Sequence, residues 1–244
     1  MSINTVKEGE KYQTKLNGEF IVIKRYRNDK VLIKFTDEFG FETTTRESHI
    51  KDGNIRNPYH PRVYGVGYTG IGIYSYKTHK IIYKMWIRML ERCYSKTYQV
   101  KKPTYKGCYV CKEWHCLQDF AKWFVEQEDC EKGYELDKDL LVKGNKLYSP
   151  ETCMLLPRKV NSMLTTASIN NKLGIVGVIE RYGRYSASVH VDGKIKHLGT
   201  YDTSKEASLA YAKEKEAYVR KVALSIESEI SQKAFGALMS WVVY

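Results

Sequence analysis

The stretch LDKDLLVKGNKLYSPETCMLLPRKVN, residues 136–161, decides the expected fold of the middle of the chain. An apolar residue leads into the carboxylate of Asp137, a Gly144-Asn145 turn follows, and a short second strand reaches Tyr148. Ser149-Pro150-Glu151 has the pattern of a helix start, because Ser is favoured as N-cap and Pro at the first helical position. The sequence therefore predicts the order strand, turn, strand, helix.

That layout resembles the ββα-metal core of HNH endonucleases, especially the phage-encoded homing type. By the family's spacing, its base, its middle asparagine and its final histidine or asparagine fall on Lys138, Thr152 and Asn161. Asp137 matches an acidic metal ligand, and Asn161 matches the variant with Asn in the last position. The resemblance thus implies Asp137, Lys138 and Asn161 as catalytic residues, with Asp137 and Asn161 holding Mg2+ or Mn2+.

Lys138 stands where the family has its general-base histidine. Metal-dependent hydrolysis of a phosphodiester needs oxygen ligands and a base that titrates near neutrality. The reference pKa of lysine is about 10.4, so an unshifted lysine holds a phosphate but does not take a proton. Neighbouring carboxylates at Asp137 and Asp139 favour the charged form. We therefore expect a DNA-binding core with weak or absent cleavage.

The composition is strongly basic, with 40 Lys and Arg against 28 Asp and Glu, a net charge of +12 over 244 residues. The excess is spread over the segments 1–75, 76–165 and 166–225, as expected for a chain that follows a phosphate backbone.

We predict an α+β fold in four segments: a small β module with a Gly-rich connector (1–75), an HNH-like core with preceding helices (76–165), a DNA-binding sheet (166–225) and an apolar tail (226–244).

The six cysteines come without a signal peptide or an apolar run long enough to cross a membrane. This combination predicts reduced thiols in a cytoplasm, that of the host cell if the gene belongs to a phage, and no membrane partner. Cys108, Cys111, Cys116 and Cys130 could form a zinc knuckle. We do not expect structural zinc, because a second close Cys pair is missing and single thiols in aromatic sequence are usually buried.

The first half of the chain combines strands with amphipathic helices. Alternating apolar residues predict strands at 20–25 and 31–35, and a third strand is predicted at 41–45. Apolar residues at helical spacing predict a helix at 79–94, which carries Lys84, Arg88 and Arg92 on its polar side. The front β module and the segment with Tyr105-Lys106-Gly107, Val110, Trp114, Phe120 and Phe124 resemble segments that precede the core in phage HNH proteins. His115 is expected to be a surface or packing residue rather than a substitute base.

A second informative stretch follows a polar linker at 162–172. Strands are predicted at 175–180, 184–191 and 194–201, joined by turns at Tyr182-Gly183 and Asp192-Gly193. Thr203 and Glu206 form a capping box for a helix that covers the sheet with Ala207, Ala210, Tyr211 and Ala217. With HLGTYDTSKEASLAY at 197–211, this module resembles the plant APETALA/ethylene-response-factor (ERF) DNA-binding domain found fused to phage HNH cores.

One face of this sheet is predicted to bind duplex DNA. A two-residue hairpin places Ser188 opposite His197 and His190 opposite Ile195, so that face is small and polar. Sheets of this kind can enter a major groove, with basic side chains on the phosphates. The predicted DNA-binding residues are Arg181, Arg184, Ser186, Ser188, His190, Lys194, Lys196 and His197.

Two functions compete, and the tail adds a question of assembly. The first is a metal-dependent DNA-nicking endonuclease, and the second is an inactive HNH-like fold that binds DNA or a host nucleic-acid or defence complex as a regulator or inhibitor. An RNA-binding protein is a third class. The tail from Val222 to Tyr244 is so apolar that it either docks on the body or forms a homo-oligomer contact.

Overall fold

The computed structural model describes residues 5–164 and 173–243 of the chain. The chain divides into two compact units, with the boundary between Phe124 and Val125. The fold is mixed α and β as predicted, with an N-terminal antiparallel sheet and a C-terminal three-stranded sheet backed by a helix. No helix among the described residues is long and apolar enough to span a membrane. The predicted division into four segments stays a prediction.

The first unit begins with a four-stranded antiparallel sheet whose strands lie in chain order. Its elements are β1 (Lys11–Gln13), β2 (Glu19–Arg25), β3 (Lys30–Phe35), β4 (Glu42–Arg46) and the short helix α1 (Glu47–Lys51). The predicted strands are confirmed, because alternate residues of β2 and β3 enter one buried cluster. Asn28 and Asp29 form the turn between them, both with positive φ.

The rest of the first unit is mainly helical. Its elements are α2 (Lys80–Tyr94), α3 (Lys96–Lys101), α4 (Leu117–Val125), the short strand β5 (Tyr109–Val110) and 3-10 turns at Pro103–Tyr105 and Glu113–His115. The Trp86 indole donates to the Trp114 carbonyl at 2.8 Å, and Phe120 packs edge-on against Trp114. The predicted α2 is confirmed, but Ile81, placed on its apolar side by the sequence pattern, is largely exposed.

The middle stretch opens the second unit with β6 (Glu135–Asp137), β7 (Leu147–Tyr148), β8 (Met154–Leu156) and α5 (Arg158–Leu164). The helix start predicted at Ser149-Pro150-Glu151 is wrong. Residues 149–152 form a turn, because the apolar run of β8 pairs antiparallel with β6 and is fully buried. The helix therefore begins only after Pro157.

The C-terminal sheet consists of β9 (Val178–Arg181), β10 (Arg184–Val191) and β11 (Lys194–Tyr201), with β10 in the centre. Both predicted two-residue turns are confirmed, and Tyr182 and Asp192 have the positive φ of type I′ turns. The first strand begins three residues later than predicted. Gly177 precedes it with φ of +72°, where a Cβ would lie 2.0 Å from the Tyr211 ring.

The predicted linker at 162–172 is wrong for its first three residues, which belong to α5, and residues 165–172 lie outside the described part of the chain. The capping box of Thr203 and Glu206 is confirmed at the start of α6 (Ser204–Ser225). Ala207 and Tyr211 are buried and Ala210 half-buried, but Ala217 is exposed, contrary to the prediction. At Ala217 a different side of α6 faces the interior, because the neighbouring Tyr218 and Val219 are buried there.

The C-terminal half of α6 belongs to a different core from its N-terminal half. Tyr218, Val219, Val222 and Ala223 pack with residues of β8 and α5 and with the tail. The tail forms a 3-10 turn (Glu227–Glu229) and α7 (Gln232–Met239). Its buried residues are Ile230, Ala234, Leu238 and Trp241. Of the two alternatives for the tail, the structure shows docking on its own unit, while the homo-oligomer contact stays a prediction.

Candidate nucleic-acid interface

The three-stranded sheet has one side covered by α6 and one side turned away from it. Ala187 and Val189 of β10 are buried on the covered side. The register pairs Ser188 with His197 and His190 with Ile195, as predicted from the hairpin. Strand alternation then defines the open face of the sheet. Its residues are Ile179, Arg181, Arg184, Ser186, Ser188, His190, Ile195 and His197.

The open face mixes hydrogen-bonding groups with apolar side chains. His190, His197 and Ile195 are exposed, the last to 68%. The Ser186 hydroxyl lies 3.4 Å from Nδ1 of His197 across the strands. A bulge between Ala187 and Ser188 shifts the register of β11, which brings these two side chains diagonally together.

The predicted basic rim is split between the two sides of the sheet. Arg181 and Arg184 face each other across β9 and β10 on the open face, and Asp202 pairs with Arg184 at 3.0 Å. Lys194 and Lys196 lie opposite Val191 and Val189, and therefore on the side of α6. Lys196 forms an ion pair with Glu214 of that helix at 2.7 Å.

The loop between β6 and β7 holds Lys138 in its interior, and because β6 pairs with β8, the two strands do not form a hairpin. Only 6% of Lys138 is exposed. Its ammonium group pairs with the Asp139 carboxylate and donates to the Asn145 carbonyl at 2.7 Å, while the Asn145 amide donates back to the Lys138 carbonyl at 2.7 Å. Nζ also lies 5.9 Å from the centre of the Tyr148 ring. Lys138 therefore joins the two arms of the loop as a cation.

Asp137 caps the same loop. Its Oδ1 accepts hydrogen bonds from the backbone N–H groups of Asp139 and Leu140, at 3.0 and 2.8 Å. Burial raises the pKa of this carboxyl, Asp139 raises it further, and the two backbone hydrogen bonds oppose the rise. Among the described residues Oδ2 makes no hydrogen bond.

The other predicted metal ligand, Asn161, lies on α5. Its amide Nδ2 donates to the Glu135 carboxylate on β6 at 3.1 Å. Thr152, in the family's middle position, lies in the turn before β8, where its hydroxyl donates to the Leu147 carbonyl at 2.8 Å. Hard divalent cations need several oxygen ligands. Asp137 has one oxygen occupied by two backbone donors, and no group of three or more His, Cys, Asp or Glu side chains among the described residues is arranged to hold a metal ion, so Asp137 and Asn161 alone do not fit a hydrolytic metal centre.

The other candidate metal ligands form no metal site either. Within residues 5–164 and 173–243, no group of three or more His, Cys, Asp or Glu side chains is arranged to hold a metal ion. The six cysteines, all of them described, form no disulfide with one another, and burial raises the pKa of the Cys116 thiol. His115 is half-buried beside the Tyr94 hydroxyl, 3.3 Å from Nε2, and burial lowers its pKa. It packs in the fold, one of the two predicted alternatives.

Two residues near Lys138 make contacts that the sequence pattern does not reveal. Asn145 is predicted only as a turn residue, yet its side chain donates to the carbonyls of Lys138 and Leu147. Glu135 precedes Asp137 by two positions on one strand, and it bonds Asn161. Alternation along β6 could have placed Glu135 on the same side as Asp137. The Asn145 contacts depend on the loop conformation, which has no signal in residue type alone.

Asp137→Asn tests whether this carboxylate is a loop cap. An amide oxygen can accept the same two backbone hydrogen bonds without a buried charge. Because the folded-state pKa is raised, the carboxyl contributes most to stability below its unfolded pKa, and that contribution is lost as pH rises through the folded pKa. We expect the variant to be at least as stable as wild type at pH 7, with a smaller fall in melting temperature between acid and neutral pH.

Asp139→Asn serves as the comparison for this measurement. It also removes one carboxylate next to Lys138, but that carboxylate is the ion-pair partner of the lysine. We expect its melting temperature to fall at pH 7. A lower melting temperature for Asp137→Asn than for Asp139→Asn would contradict the assignment of Asp137 as a cap.

Comparisons with protein-family models, with curated proteins and with solved structures found no match to this chain. Membership of the HNH endonucleases, and of the APETALA/ERF domains, therefore stays a prediction from the motifs.

Proposed function

We propose that this chain binds duplex DNA, with the open face of its C-terminal sheet against the major groove. The observation that carries the proposal is the register of β10 and β11, which sets Ser188 against His197 and His190 against Ile195 on the side away from α6. The proposal keeps the resemblance to phage HNH proteins with an APETALA/ERF-like module.

The chemistry of the open face suits base edges. A major groove about 12 Å wide admits a two-stranded β ribbon. Ser and His side chains donate to and accept from base edges, and an exposed Ile195 can contact a thymine methyl group. Arg181 forms no ion pair among the described residues, so its guanidinium is available to a phosphate or a guanine edge.

The loop between β6 and β7 has a structural part in this proposal. Lys138 is engaged by Asp139 and Asn145, and the Asp137 carboxylate caps the loop. A lysine held in this way has no free lone pair with which to take a proton from water. We therefore place the chain among binding proteins, as a regulator or inhibitor acting on DNA, rather than among hydrolases.

Salt dependence of duplex binding is the direct test. Each phosphate contact adds about −0.9 to the slope of log affinity against log salt, so three or more contacts give about −2.7 or steeper. We expect His190→Glu to lower affinity about tenfold, because it places an anion on the open face against the phosphates. Fluorescence anisotropy with a labelled duplex measures both quantities.

Leu209→Glu is the matched control. Leu209 lies on α6 and is 62% exposed, so this variant adds the same single negative charge away from the open face. We expect it to bind within about twofold of wild type, as exposed charges at a distance are screened. Equal losses in the two variants, or a wild-type slope near zero, would contradict the proposal. Stronger competition by duplex RNA than by duplex DNA would favour the RNA-binding class.

DNA nicking is the second candidate, and the unbonded Oδ2 of Asp137 is the observation that favours it. That oxygen could bind a divalent cation. A supercoiled plasmid with Mg2+ or Mn2+ decides between the candidates. We expect no nicked product above background, while nicking by wild type that disappears in Asp137→Asn would establish the enzyme.

A further inference from the structure

The N-terminal sheet has a basic patch on the side away from its core. Core residues Val31 and Ile33 alternate with Lys30 and Leu32, so Lys30 points to the opposite side. The register places Lys24 opposite Leu32 and Arg46 opposite Lys30, and the Tyr26 N–H donates to the Lys30 carbonyl. The basic patch consists of Lys24, Tyr26, Lys30 and Arg46.

Lys30 and Arg46 form a cross-strand pair of like charge. Two cations directly opposite each other on adjacent strands destabilise a sheet. Among the described residues neither forms an ion pair, and the nearby Asp29 carboxylate in the β2–β3 turn pairs with neither. The fold therefore contains an unneutralised repulsion that a bound anion would relieve.

Three other lysines of the same module are neutralised. Lys11 pairs with Glu19 at 2.8 Å, Lys34 pairs with Glu42 at 3.1 Å, and Lys7 pairs with Glu10 at 3.5 Å. Unpaired cations on this sheet are thus concentrated at one end of one face. A general excess of basic residues on the surface would not separate unpaired from paired cations in this way.

An aromatic ring lies within the patch. Tyr26 is 46% exposed, and the Lys24 ammonium lies 5.6 Å from the centre of its ring. A cation beside an exposed ring holds both groups at the surface. Nucleic-acid surfaces combine backbone-neutralising cations with rings that can contact sugars or bases. The combination suits a polyanion with apolar parts better than a simple inorganic anion.

We propose that the basic patch is a second contact of this protein with the phosphate backbone of duplex DNA. Lys24, Lys30 and Arg46 bind phosphates without reading sequence, and Tyr26 packs against the sugar edge. This contact rests on the proposed function, because the open face of the C-terminal sheet supplies the groove contact. Phosphate contacts of this type fix position and strengthen binding to every sequence alike.

The test replaces the three cations with Thr, which suits a strand. In the triple variant Lys24→Thr, Lys30→Thr, Arg46→Thr, we expect the salt slope to become shallower by roughly 2–3, because each lost phosphate contact removes about 0.9. Affinity for any duplex should fall tenfold or more at moderate salt. The melting temperature should not fall, since the like-charge pair is gone.

A matched control removes three neutralised lysines from the same module. The triple variant Lys7→Thr, Lys11→Thr, Lys34→Thr changes the net charge equally. We expect its salt slope to stay within about half of one contact of the wild-type slope. Equal changes in the two triple variants, or an unchanged slope in the patch variant, overturn the inference.

The outcomes separate this inference from the proposed function. Loss of binding in His190→Glu with an unchanged slope in the patch variant overturns the inference alone. Absence of salt-dependent duplex binding by the wild-type chain overturns both. Sedimentation with vesicles rich in phosphatidylserine gives the remaining outcome: a patch variant that loses vesicle binding but keeps duplex binding assigns the patch to a membrane surface and overturns the inference.

Discussion

Leu238→Ala is expected to lower the free energy of unfolding of the second unit by about 2–5 kcal/mol, the range for a leucine removed from a closed core. Leu238 is fully buried on α7 and packs in one cluster with residues of β8, α5 and α6. A cavity at that position removes contacts from several elements together. Urea unfolding followed by circular dichroism measures the change.

Leu224→Ala makes the same substitution outside the core. Leu224 lies at the end of α6 and is 57% exposed, so we expect a change within about 0.5 kcal/mol. Similar losses in the two variants would show that the tail does not form this core.

Light scattering of the Leu238→Ala protein adds a test of the homo-oligomer prediction, because dissociation of a dimer without loss of fold would place that contact on the tail.

The shared core changes how the predicted segments relate to each other. Sequence patterns separate the HNH-like segment, the C-terminal sheet and the tail, since each has its own strands or helix. In the structure, Val160 from the first, Val222 from the second and Leu238 from the third pack in one cluster. Helix α6 is long enough to contribute residues to two cores. The apolar periodicity of one segment does not show which other segment packs against its C-terminal half.

Strand registers were the most predictable part of the site. The Asp192-Gly193 turn has a defined geometry and residue type. It determines the cross-strand pairs between β10 and the first half of β11, from Val191–Lys194 to Ser188–His197. Ser188 opposite His197 follows from that turn alone. The bulge between Ala187 and Ser188 was not predictable in the same way, because the hairpin turn does not determine where an extra residue, here Leu198, enters β11.

The false helix start at Ser149-Pro150-Glu151 has a clear physical reason. Ser and Pro suit the first turn of a helix, but they suit a tight turn as well. The Ser149 carbonyl accepts from the N–H groups of Thr152 and Cys153, and the chain then extends because Met154–Leu156 can pair with β6. Strand pairing between distant segments overrode a local preference.

The basic patch was not predicted, because net charge in a sequence does not show which charges are neutralised. Lys11 and Lys30 are equivalent by residue type and by strand position. Only the register reveals that Glu19 lies within reach of Lys11, whereas Arg46 faces Lys30. The excess of basic residues is a count from the sequence, and it carries no information about where the unneutralised charges lie.

Lys138→Ala is expected to lower the free energy of unfolding by about 2–3 kcal/mol, because it removes a charged hydrogen bond and leaves a carbonyl without its donor. The ammonium group joins Asp139 to the Asn145 carbonyl from a position with 6% exposure. Lys143→Ala, in an exposed position of the same loop, is the matched control and should change stability by less than about 0.5 kcal/mol. Thermal melts of the two variants at pH 7 make the comparison.

Lys138→His gives the same position the residue that an HNH endonuclease has there. An imidazole is shorter than a lysine side chain, so it cannot reach both Asp139 and the Asn145 carbonyl as Nζ does. We expect this variant to be less stable than wild type, to keep duplex binding through the open face, and to show no plasmid nicking with Mg2+ or Mn2+. Nicking gained by Lys138→His would mean that the loop is a metal cradle that lacks only its base, and full stability of Lys138→Ala would contradict the structural role of Lys138. A structural lysine predicts loss of stability without gain of chemistry, so the two readings give opposite results in one pair of proteins.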